Sequence, residues 1–67
     1  MSVAKVSEIT ASSTKSFEDA LQQGINRATK TLDNVQSAWI QDLEVVVEAG
    51  KITEYKVRMK VTFVLKD

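Results

Sequence analysis

The sequence predicts an α+β domain in the order strand, helix, strand, strand. Three observations carry that reading. Tyr55, Val57, Met59, Val61, Phe63 and Leu65 share one parity, and Lys56, Arg58, Lys60 and Thr62 share the other, which is the period of two of a half-buried strand. Phe17, Ala20, Leu21, Gly24, Ile25, Ala28 and Leu32 recur at three- and four-residue spacing, forming one stripe of an amphipathic helix. Gly50 separates the final alternating run from an earlier one that carries Trp39, Leu43, Val45 and Val47 at matching parity. The two runs read as arms of one long hairpin over residues 37–65.

The first strand is expected over residues 3–10, where Val3, Val6 and Ile9 supply β-branched side chains. Small and polar residues 11–15 then connect it to the helix. The helix is expected over residues 16–33. Ser16 followed by Asp19 resembles a capping box with Asp in place of Glu. Acids open the helix and Arg27 and Lys30 lie near its end, as its dipole favours. Asn34 is placed to end it in a left-handed conformation. Gly24 lies inside the apolar stripe, where glycine costs about 1 kcal/mol relative to alanine. It marks either the approach of another backbone or, more ordinarily, a small residue where the helix crosses the sheet.

Charge complementarity sets the hairpin's expected register. A three-residue loop, residues 49–51, with Glu48 opposite Ile52, places Glu44 against Lys56 and Asp42 against Arg58. A two-residue loop shifts one arm's parity and sets apolar side chains against charges. The odd loop is therefore expected.

All 67 residues are expected to form one domain. A domain this small buries little of its surface and usually needs a disulfide, a structural metal or partners. The chain has no cysteine and no histidine, which removes disulfides and thiolate or imidazole metal sites and leaves oligomerisation. One helical stripe is too narrow to cover two long arms, so subunit contacts are expected around residues 39–47 and 61–65. Nine basic and nine acidic residues cancel, which argues against a general nucleic-acid binder. No apolar run reaches membrane-spanning length, and the N-terminus lacks the pattern of a signal peptide. The expected setting is soluble and cytoplasmic.

The same inventory excludes most catalysis. Without histidine or cysteine there is no Ser-His dyad and no thiol nucleophile. With Gly24 and Gly50 as the two glycines, no phosphate-cradling loop exists. Asp42 and Glu44 could offer oxygens to Ca²⁺ or Mg²⁺, but a hard cation wants six or more, and pairing with Lys56 and Arg58 is the simpler role. Trp39 could stack on a flat heterocycle, although a lone tryptophan more often packs in a core or interface. Lys56, Arg58 and Lys60 could attract a phosphate, although such a row is ordinarily a solvated strand face. A non-enzymatic chain is expected.

The helix SFEDALQQGINRATKTLDNV and the last strand EYKVRMKVTFVL resemble those of the dodecin family. In the helix the likeness lies in the acid, the Arg-Ala pair and the Thr-Leu pair. In the strand it lies in the leading aromatic, the alternation and the Phe-x-Leu ending. The resemblance covers nearly the whole chain. It implies a three-stranded antiparallel sheet partly wrapped around one helix, and a hollow homododecamer of cubic symmetry. It also implies binding of flavins such as FMN or riboflavin for storage or buffering, with a tryptophan stacked on the ring and a glutamine on its polar edge. Counted along the family pattern, the tryptophan's place holds Ser37 and the glutamine's place holds Lys56, while Trp39 comes two residues late. The expected site residues are Trp39, Ser37 and Lys56. Trp39 should share a strand face with Ser37. A shift of two residues moves the indole about 7 Å along the strand, so flavin binding is expected to be weak or differently posed. Trp39 is expected mainly at a subunit contact. The alternative is a family-like assembly that takes no flavin, or takes another small anion or a cation.

Overall fold

The computed structural model describes residues 3–65; residues 1, 2, 66 and 67 of the expected domain lie outside it. The order is β1 (Ala4–Ser13), α1 (Phe17–Thr31), β2 (Val35–Glu48) and β3 (Lys51–Val64). The strands form one antiparallel sheet in the order β1-β3-β2. The strand–helix–strand–strand order and the α+β class are as the sequence predicts.

β1 runs three residues further than expected, because Ala11, Ser12 and Ser13 continue the ladder against Val57, Lys56 and Tyr55. The helix is two residues shorter at its C-terminal end, closing at Leu32, whose N–H donates to the Ala28 carbonyl at 2.9 Å. At the other end, the Ser16 hydroxyl accepts from the Asp19 N–H at 2.9 Å, satisfying one of the helix's orphan donors. The Asp19 carboxylate does not complete the capping box. It accepts from the Ser13 hydroxyl and the Gln23 amide, both at 2.6 Å, and so ties the end of β1 to the first turns of α1. Asn34 has φ 59°, the left-handed exit expected of it. Its carbonyl accepts from the Val64 N–H at 3.1 Å, seating the start of β2 against the end of β3.

The helix lies across β1 and β3. Val57, Met59 and Val61 are fully buried beneath it together with Ala20, and Ala28 and Gly24 are also buried. Phe17 meets Tyr55 edge to face, with ring centroids 5.1 Å apart. Full burial of a Val or Met side chain is worth roughly 1.5–3 kcal/mol, so these three β3 residues dominate the core. A Cβ on Gly24 would stand 2.6 Å from the Met59 methyl and 3.1 Å from the Ala11 Cβ. The glycine is therefore the small residue that lets the helix sit down on the sheet.

The hairpin loop differs from expectation. Glu48 pairs with Lys51 across a two-residue turn, Ala49-Gly50, and both turn residues have positive φ, 51° and 76°. That is the signature of the I′ turn, whose twist matches that of paired strands. The parity problem is solved inside β3. Val47 pairs with Ile52 and Val46 with Glu54, leaving Thr53 as a bulge whose hydroxyl donates to the Val46 carbonyl at 3.3 Å. Beyond it, Val45 meets Tyr55, Glu44 meets Lys56 and Asp42 meets Arg58, as the charge pattern predicts. The extra residue that was placed in the loop sits in the strand instead.

Beyond Val35, which packs against the core, β2 receives little cover from the helix. Ile40, Leu43, Val45, Val47 and Ile52 share the sheet face on which α1 lies, yet remain 37–56% exposed. This is the surplus apolar surface expected around residues 39–47. In the second expected region Val61 is instead fully buried, and Leu65 is 44% exposed. Among the described residues, no helix is long and apolar enough to cross a membrane.

Candidate functional site

Two further bulges interrupt β2, and the one at Gln41 decides where the tryptophan goes. Between Asp42 opposite Arg58 and Ile40 opposite Met59, β2 carries one extra residue, Gln41; between Ser37 opposite Thr62 and Val35 opposite Phe63 it carries another, Gln36. A single bulge exchanges the two faces of everything beyond it. Ile40 therefore takes the helix-side face opposite Met59, and Trp39 moves to the opposite face, against Lys60. The sequence reading that gave Trp39 the parity of Leu43 and Val45 is corrected here, because it assumed an uninterrupted strand.

The face away from the helix is built in rows across β1, β3 and β2. One row is Val6, Thr62 and Ser37; the next is Glu8, Lys60 and Trp39; then come Thr10, Arg58 and Asp42; then Ser12, Lys56 and Glu44. Ser37 and Trp39 are thus neighbours on one face, as expected. Lys56 shares that face but lies two rows away, about 13 Å along β3 at 3.3 Å per residue. The structure does not bring it to the indole. Lys60 occupies that position, with its Nζ 5.8 Å from the centre of the Trp39 ring, within cation–π range. The sequence showed Lys60 only as one member of a charged row, and the bulges at Gln36 and Gln41 leave no mark in the alternation that would have singled it out.

Trp39 is 49% exposed. An indole with half its surface uncovered, on a sheet face that no helix covers, offers a ring surface on which a flat aromatic molecule can stack. One ring face carries the Lys60 ammonium, so a stacked ligand either displaces it or takes the other side. A cavity of about 580 Å³ lies elsewhere, between β1 and α1, and is lined by Glu8, Gln23, Arg27 and Thr31 among others. It is a crevice at the sheet edge and does not reach Trp39.

The acidic candidates are placed less favourably for a cation. Asp42 accepts from Arg58 at 3.2 Å, both side chains being about half exposed. Glu44 stands opposite Lys56. Among the described residues, no group of three or more acidic side chains is arranged to hold a metal ion. The Asp19 carboxyl is held below its ordinary range. The hydrogen bonds from Ser13 and then Gln23 lower its pKa against the opposing effect of burial, and nearby Lys15 adds to the lowering. That group clamps the β1–α1 connection and is remote from Trp39 in the fold.

Comparison with known proteins agrees with this geometry. The family model for dodecin matches residues 3–66. The calcium dodecin of Mycobacterium tuberculosis is 34% identical over 67 residues, covering 98% of this chain and 93% of that protein. Its crystal structure, described as a calcium-chelating antigen with a novel calcium-binding site, superposes with a TM-score of 0.83 at 29% identity, covering 96% of this chain and 91% of that one. The dodecin from Streptomyces davaonensis superposes with a TM-score of 0.93 at 30% identity, covering 98% of this chain and 97% of that one. Neighbours, family model and fold agree: the chain belongs to the dodecin family.

Proposed function

We propose that the chain is the subunit of a closed homo-oligomeric shell, a dodecamer by resemblance to the family, that holds a flavin such as FMN or riboflavin in the cytoplasm. It stores or buffers the ligand without turnover. The observation that carries the reading is the reversal of Trp39 onto the open sheet face. The bulge at Gln41 takes the chain's only tryptophan out of the apolar face and leaves it half exposed. Offset stacking of aromatic rings contributes roughly 0.5–1.5 kcal/mol beyond the area buried. The exposed strip of Ile40, Leu43, Val45, Val47 and Ile52 supports self-association, since such patches mark interaction surfaces. The lack of histidine and cysteine supports a non-catalytic role.

Titration of the purified assembly with FMN, followed by flavin fluorescence, tests the reading. Quenching is expected in the wild type and is expected to be lost in Trp39→Ala, with the particle mass unchanged by light scattering. Wild-type protein that leaves FMN fluorescence unaltered overturns it. Dissociation of Trp39→Ala into smaller species assigns the indole to a subunit contact instead.

A second reading is favoured by the calcium dodecin relative. A cation would draw on Asp42 and Glu44. Because Asp42 already holds Arg58 and a hard cation wants six or more oxygens, this site would need acids from more than one copy. Calorimetric titration with Ca²⁺, repeated on Asp42→Asn, decides it.

A further inference from the structure

Resting on the Trp39 reading, we propose that Lys60 makes the site select for charge, so that it prefers a flat aromatic ligand bearing an anionic group over its neutral counterpart. The argument begins with what Lys60 could have done otherwise. It has Glu8 beside it on β1 and Trp39 beside it on β2. Its ammonium lies over the indole at 5.8 Å, and among the described residues no carboxylate comes within ion-pair distance of it. The neighbouring Arg58 is engaged by Asp42 at 3.2 Å. Lys60 is therefore the cation next to the indole whose charge no described acid takes up.

A ligand that stacks on the covered face of Trp39 must move this ammonium aside. The lost cation–π contact costs about 0.5–1 kcal/mol at an exposed site. A neutral ring system gives nothing back for it. A ligand with a phosphate offers the displaced ammonium a new partner, and such charge-assisted hydrogen bonds are roughly twice as strong as neutral ones. The anionic ligand therefore recovers the cost and the neutral one does not. Lys60 thus occupies the functional position that the glutamine's place, Lys56, does not reach, and its role is electrostatic where an amide's is hydrogen bonding.

The test compares FMN with riboflavin, which share the ring system and differ in the phosphate. Affinities are measured by fluorescence titration of the intact assembly for wild type, Lys60→Gln and Lys60→Arg, with circular dichroism and light scattering confirming fold and mass. Wild type is expected to favour FMN by roughly fivefold, the scale of one partly exposed ion pair, with the preference shrinking as salt rises. Lys60→Gln is expected to bring the FMN-to-riboflavin ratio close to one without weakening riboflavin, and Lys60→Arg to retain the preference. Equal affinity for both flavins in wild type, or an equal loss of both in Lys60→Gln, overturns the role of Lys60 and leaves stacking on Trp39 standing. Binding of neither flavin by wild type overturns both. If Lys60→Gln does not assemble, the salt dependence of the wild-type ratio decides: a ratio indifferent to salt overturns the proposal.

Discussion

Replacing Gly24 by alanine sets two effects of known size against each other. In an exposed helix interior the change favours folding by about 1 kcal/mol, because alanine has less backbone entropy to lose. Here the new Cβ would stand 2.6 Å from the Met59 methyl and 3.1 Å from the Ala11 Cβ. The methyl ends a flexible side chain, but Met59 is fully buried and has little free volume to swing into. Ala11 Cβ moves only with its backbone. Inserting a methyl into a packed core costs roughly 1–3 kcal/mol, so the net expectation is a loss of about 1 kcal/mol. Met59→Leu removes the reaching methyl at a cost of under about 1.5 kcal/mol. In that background Gly24→Ala should become neutral or stabilising, a coupling of about 1–2 kcal/mol between contacting residues. Urea unfolding of the four proteins at one protomer concentration measures it, since association makes stability depend on concentration. A Gly24→Ala protein that gains about 1 kcal/mol whatever stands at position 59 would refute the packing argument and leave helix propensity as the only term.

Ala49 holds φ 51°, a region that costs a side-chain-bearing residue about 1–2 kcal/mol, and Asn-Gly is the preferred I′ pair. Ala49→Asn should therefore raise the urea midpoint, by roughly 0.5–1 kcal/mol in stability. Arg58→Gln removes the Asp42 ion pair, but with the two side chains 44% and 51% exposed the loss should stay within about 1 kcal/mol, and a larger drop in Tm would show that the pair is buried in the assembly. The Asp19 carboxyl has a lowered pKa in the folded chain, so its contribution is fully present at neutral pH and is lost as pH falls below about 3.8 through the folded value; Asp19→Ala should flatten the acid limb of a stability-versus-pH curve, and an unchanged limb would remove the Ser13–Asp19–Gln23 cluster from the account. If the proposed dodecamer forms, twelve chains of 7.4 kDa give about 89 kDa, and Leu43→Lys with Val47→Lys should shift the light-scattering mass to smaller species; a mass that the pair leaves unchanged would place the subunit contacts elsewhere.

What the sequence disclosed follows from how each feature is encoded. The buried line Val57, Met59, Val61 alternates without interruption, so period alone identified it. The helix stripe was equally direct, and Gly24 was legible as the small residue where the helix crosses the sheet, because close packing is the usual reason for a glycine inside such a stripe. Pairing of Asp42 with Arg58 was legible from opposite charges at equal distance from Gly50. The turn was not, because a three-residue loop and a two-residue turn followed by a bulge at Thr53 produce the same register further along the hairpin. Only turn chemistry distinguishes them, and Ala49 is a poor signal for a left-handed residue. The position of Trp39 was hidden for the same reason: Gln36 and Gln41 are ordinary strand-edge polar residues, and a bulge has no residue signature of its own unless it needs glycine. Lys56 was expected because the resemblance puts it in the glutamine's place, whereas Lys60 comes beside the indole through a cross-strand pairing with Trp39 that the alternation does not show.

The two unfinished surfaces of the ribbon bear on each other through those bulges. Leu43, Val45 and Val47 face the helix side, and Trp39 faces away. Without the bulge at Gln41 the indole would join the apolar strip, and whatever covered the strip would cover it too. With the bulge, a second copy can bury the strip while the opposite face keeps its row of Glu8, Lys60 and Trp39. In the proposed function, assembly and ligand capture then draw on different faces of the same two strands. Each can change by substitution without direct loss of the other. On that proposal the apolar face answers to packing, whereas the polar face answers to what it holds.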